Sequence, residues 1–183
     1  MENFDLNQIY SYIDRYAQLN FLVRILTSPA SKNPEDFNSN VFDIDFNELG
    51  LSDEAVRVLS ENPNIVNLKK YRDEIFSLAE AASVGIFGHM VRLSNEDKMA
   101  VKEYVDGMIA AYLTKVTECQ ETYFALVVEI DKSTKEENSA KTRSLGKMAK
   151  ASFNKLYEYQ TICQNYSNVS SYLRGMIKNR GLS

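Results

Sequence analysis

From Ser94 to the C-terminus the chain has no proline, and its apolar residues return at steps of three and four. This spacing most restricts what the chain can become, because it paints one stripe along an α-helix and has no counterpart in a strand. Val101, Val105, Met108, Tyr112, Cys119, Tyr123, Leu126 and Ile130 make up the first stripe, and Lys115 stands where another apolar residue is expected. Leu145, Ala149, Ser152, Leu156, Tyr159, Cys163, Tyr166, Leu173 and Ile177 make up a second. The pattern predicts two helices, about Glu96 to Ile130 and from beyond Thr142 to about Lys178, each spanning roughly 50–55 Å. The charged stretch from Asp131 to Thr142 between them is expected to be a solvated turn, with frayed helix as the alternative over part of it. Matched length and a short connection favour an antiparallel hairpin. Small and polar residues interrupt the seam, so bundle packing is favoured over an isolated coiled coil.

The upstream part is more broken. Asp5 is suited to cap a helix from about Leu6 to Leu26, with its stripe on Leu6, Ile9, Ile13, Tyr16, Leu19, Leu22 and Leu26. Ser28-Pro29 ends it, since proline disfavours a helical residue before it. Pro29, Pro34 and the polar residues around them mark a loop. Beyond it Phe42, Ile44 and Phe46 alternate with Asp43, Asp45 and Asn47. That alternation best fits an extended segment pinned to the core by its apolar members, together with Val41 and Leu49, with a short helix as the alternative. A short helix capped by Ser52 follows from Asp53 to about Glu61, and one helix is expected from Ile65 to Arg92. Ser94 and Asp97 then have the spacing of a capping box. The class expected is all-α: a helical bundle with a long antiparallel C-terminal hairpin. Residues 1–183 read as one domain, 1–62 an N-terminal helical cap with an irregular loop and 63–183 the long-helix bundle.

Composition agrees. Three prolines and seven glycines in 183 residues are too few for an all-β chain, and eleven tyrosines and nine phenylalanines supply packing bulk in the absence of tryptophan. Cys119 and Cys163 belong to no metal-type cluster and read as reduced core residues. The acidic N-terminus resembles no secretory signal, and no apolar run is long enough for a membrane span, so a cytoplasmic protein is expected.

Familiar catalytic and metal sites fail on residue supply. The single histidine, His89, cannot build a multi-histidine metal site, and the residue three before it is Ile86, not the glutamate of a di-iron bundle. Residues 131–142 lack the central glycine and terminal acid of a calcium loop. There is no Gly-x-Ser-x-Gly elbow. The carboxylates Glu103, Asp106, Glu118, Glu121 and Glu129 lie mostly off the apolar seam, as a solvated face does. Neither a cofactor nor a metal is expected, nor an enzyme.

Two regions remain as candidates. Gly85, Gly88 and His89 lie in a patch of small residues inside a helix, where each glycine costs about 1 kcal/mol relative to alanine. Close approach of a neighbouring helix or a kink accounts for them; the functional reading is a hinge or a partner-docking groove. The other region is the C-terminal part. Residues 131–183 carry a net charge of +6 in a chain of net −4. Lys141, Arg143, Lys147, Lys150 and Lys155 form one basic cluster, several of them able to share a side of the helix, and Arg174, Lys178 and Arg180 form a second at its end. With tyrosines 157, 159, 166 and 172 between the clusters, they could track a phosphate backbone. The simpler reading is that they solvate the helix, pair with the acidic N-terminal part and balance the helix dipole. The function expected is a non-enzymatic protein-interaction module with a protein partner, self-association included; the alternative is nucleic-acid binding through the basic helix.

Overall fold

The computed structural model describes residues 5–28 and 42–178. Within these residues it is all-helical: α1 (Leu6–Thr27), a 3-10 turn (Phe46–Leu49), α2 (Asp53–Glu61), α3 (Ile65–Lys70), α4 (Arg72–Arg92), α5 (Asn95–Lys135) and α6 (Ser139–Lys178). Val41, Arg180 and the Lys178 side chain lie outside what is described.

The helix starts follow local chemistry. Asp5 accepts from Asn7 N at 3.0 Å, Ser52 Oγ from Ala55 N at 3.4 Å and Ser94 Oγ from Asp97 N at 3.0 Å. Each satisfies an amide that the first helical turn leaves unpaired. The alternating segment is extended over residues 42–45 and tightens into the 3-10 turn, with Ile44, Phe46 and Leu49 buried.

Three expectations need correction. The helix expected over 65–92 is two, broken at Tyr71 (φ −105°, ψ 19°). Lys69 and Lys70 end the first and Asp73 and Glu74 open the second, the charge order that helix dipoles favour at a C-terminus and an N-terminus. The turn expected over Asp131–Thr142 contracts to Glu136–Asn138, because α5 runs on to Lys135 and α6 starts at Ser139. At 41 and 40 residues, the two helices each reach about 60 Å, longer than expected.

The turn between them is closed by hydrogen bonds from Glu137 N to Thr134 O (3.1 Å) and from Asn138 N to Ser133 O (3.0 Å). This is the Schellman pattern, in which the residue after the cap adopts left-handed geometry and is most often glycine. Glu137 occupies that position with φ +53°. Glu137→Gly is therefore expected to raise unfolding free energy by up to about 1 kcal/mol, measured by urea denaturation. A loss of stability would contradict this turn geometry.

The core centres on α1, whose Ile13, Ala17, Phe21, Leu22 and Ile25 are fully buried. α1 packs on α4 and on the hairpin. Its polar tie to the hairpin is Asp14, which accepts from Tyr166 Oη at 2.6 Å and from Tyr104 Oη at 2.7 and 2.9 Å. Tyr10 stacks on Tyr104 with centroids 4.1 Å apart, and Asn165 donates to Ala17 O at 2.8 Å. No helix among the described residues is long and apolar enough to cross a membrane.

Candidate functional site

The hairpin has two sides. The side facing α1 holds Tyr104 and, three turns further along, Lys115. Past the end of α1 this side opens into a depression of about 580 Å³ lined by Lys115, Cys119, Thr122, Ser152, Lys155 and Tyr159. Its polar groups are tied to one another. Lys115 Nζ lies 3.3 Å from Asp43 Oδ2, and Tyr159 Oη donates to the same oxygen at 3.1 Å. Burial works against the Asp43 charge, but these two donors outweigh it and its pKa falls below the ordinary value. Lys115 and Lys155 also lie over the Tyr159 ring, at 5.1 and 5.8 Å. Glu158 beside them has no exposed surface. One of its oxygens accepts from Asp43 N at 2.8 Å and the other has no partner among the described residues. Burial pushes its pKa up to about 7, against the opposing effects of that bond and Lys155. Burial raises the Cys119 thiol too, which disfavours the reactive thiolate.

The second depression, about 280 Å³, lies between α1 and α4 and includes Tyr12, Arg15, Leu78, Gly85 and His89. Here two of the three residues proposed from sequence, Gly85 and His89, line one groove; exposed Gly88 does not line it. Close helix approach does not explain the glycines, since a Cβ on Gly85 or Gly88 would meet nothing within 4 Å. The His89 and Tyr12 rings are nearly parallel with centroids 6.1 Å apart, and Arg15 is held by Glu48 O at 2.7 Å.

The basic residues of α6 do not form one stripe. At 100° per residue, Arg143, Lys147 and Lys150 share a sector of about 60°, and Lys155 lies about 80° or more away, in the first depression. Lys141 lies 3.9 Å from Glu129, and Arg174 is about 36 Å along the helix from Lys150. Nor do the tyrosines offer stacking platforms as a set. Tyr159 and Tyr166 are buried, and Tyr157 is half-buried against Phe21 and Arg24.

The far side of the hairpin was not singled out by sequence. Between Val116 and Ser133 no α5 residue is buried, so this outer length is a two-helix arm with a half-covered seam. Leu113 (53% exposed), Phe124 (64%), Val127 (41%) and Val128 (54%) fall within a sector of about 100° on α5. Phe153 of α6, 53% exposed, joins them through Tyr123, whose ring lies 5.9 Å from both Phe124 and Phe153. These residues form an apolar face on the side of the arm opposite the lysine depression. The signal for it is a second stripe on α5, beside the seam.

No protein-family model matches the chain, and neither the curated proteins nor the solved structures contain a significant match to it.

Proposed function

We propose that this chain is a helical protein-interaction module, an adaptor, inhibitor or assembly subunit rather than an enzyme, working through the open face of its arm. The observation that carries the reading is the exposure of Phe124, Val127, Val128 and Phe153 side by side on the outer length of the hairpin, with Leu113 on the same α5 face about 16 Å back. Contiguous exposed apolar surface of this kind marks interaction sites, and two helices bury their outer apolar rows only when a further element covers them. Two free thiols fit a reducing, cytosolic setting. The test is the double substitution Phe124→Gln and Val128→Gln. Both sites are exposed, so unfolding free energy should change by less than about 1 kcal/mol while association measured by light scattering or partner capture is lost. Association that survives the substitution would sink the reading.

The second reading, nucleic-acid binding, rests on Arg143, Lys147 and Lys150, which are exposed on one side of α6. Of the six considered cations whose side chains are described, three share a common surface, which makes it the weaker of the two. It requires binding that salt weakens and that charge reversal of these three removes.

A further inference from the structure

We infer that the occupant of the open arm face is a second copy of this chain, docked face to face with the two hairpins parallel, so that α5 of each lies on α6 of the other. The inference rests on the reading of the arm as an interaction surface and adds the identity and orientation of the partner.

Charge carries the orientation. The edge of α5 beyond the apolar face carries the exposed acid Glu121, and the edge of α6 at that height carries the exposed bases Lys147 and Lys150, with Arg143 beyond them. A face that is acidic along one edge and basic along the other complements itself only under a two-fold axis parallel to the hairpin. That operation sets each acidic edge over a basic one. An axis across the hairpin would instead set acid on acid and base on base. The parallel arrangement also keeps the apolar patches at one height, with Phe124 and Val127 of α5 set over the Phe153 part of α6 in the other copy. The tips come together without a clash of charge: Lys132 is paired with Glu129 at 2.9 Å and Lys135 with Asp131 at 2.6 Å. Gly146 leaves open space on the α6 part of the face, which permits close approach there.

Size is adequate. From Met99, 61% exposed, to Val128 the face runs about 44 Å along α5, crossed by the Lys102–Asp106 ion pair. Two helices about 10 Å wide give a footprint of about 900 Å², close to the roughly 800 Å² per partner of a stable interface. The product is a four-helix arm in which the apolar face of each helix pair is covered by the other pair.

The test uses the full chain in sedimentation equilibrium. A dimer is expected, with Phe124→Gln or Phe153→Gln weakening it at least tenfold. Glu121→Lys should weaken it as well, and Lys150→Glu in the same chain should restore it, because each contact pairs one edge with the other. Orientation is read from Val127→Cys and Gln120→Cys, made separately in a chain whose two native cysteines are alanine. Parallel docking holds each thiol and its copy at one height on diagonal helices, so a thiol-reactive crosslinker of about 10 Å span is expected to link the dimer at both positions. A dimer that couples at only one of them, or a charge swap that fails to restore it, overturns the parallel arrangement. A chain monomeric at high micromolar concentration overturns self-pairing. If Phe124 in that monomer still crosslinks to a different protein, the interaction reading stands without it; if it does not, both fall.

Discussion

Tyr166→Ala should destabilise the protein by about 3–5 kcal/mol, the cost of removing a large aromatic from a packed core. Tyr166 is 1% exposed, packs with Tyr112 at a centroid distance of 5.7 Å and donates to Asp14 at 2.6 Å. It is thus both part of the hairpin seam and the clasp between α6 and α1. The two roles separate in Tyr166→Phe, which keeps the ring and removes the donor, for an expected loss of about 1.5–3 kcal/mol. Burial raises the Asp14 pKa, and the hydrogen bonds from Tyr166 and Tyr104 hold it down. With one donor gone it rises further. A folded pKa above the unfolded one means that the folded state binds more protons, so stability falls as pH rises through that window. The phenylalanine variant should therefore lose more at neutral pH than at pH 4 in urea denaturation. An equal loss at both would show that Asp14 does not depend on the Tyr166 hydroxyl.

The second large effect belongs to Glu158. Its folded pKa of about 7 lies above the ordinary 4.5, again because burial disfavours the charge. The sign is fixed: below pH 4.5 the group is protonated in both states and costs nothing. Between pH 4.5 and 7 the cost grows, and above pH 7 it stays at about 3 kcal/mol. Glu158→Gln keeps an acceptor for Asp43 N and cannot ionise. Relative to wild type it should gain about 3 kcal/mol more at pH 8 than at pH 4. A pH-independent difference between the two proteins would contradict a carboxyl buried beside Asp43, Lys115 and Lys155.

Much of the fold was legible in the sequence because its signals are local. Helical periodicity placed the hairpin seam, and Ser94, Ser52 and Asp5 marked the helix starts. What failed lacked the usual punctuation. The hairpin turn contains neither glycine nor proline, so a charged run looked like a long loop when Glu137 takes the left-handed position instead. The break at Tyr71 is marked only by the order of lysines and acids around it. The candidate surfaces were harder to see, because sequence spacing gives the face of a residue and not what covers it. Lys115 was visible as an interruption of the seam, but its partner Asp43 lies 72 residues away. Glu158 is the only acid after Glu137, a sequence oddity whose meaning depends on burial. The apolar face of the arm required knowing that α1 covers the opposite side of the hairpin. The basic residues of α6, which sequence spacing divides into two clusters, point in several directions within the first of them once the helix is drawn.

The most direct test of a protein-docking arm is site-specific photo-crosslinking in the full chain, with a benzophenone side chain at position 124 and, as control, at the exposed Glu80 of α4. The account predicts a discrete protein adduct from position 124, to another copy or to a different partner, and none from position 80. Equal adducts from both positions, or none from position 124, would contradict it.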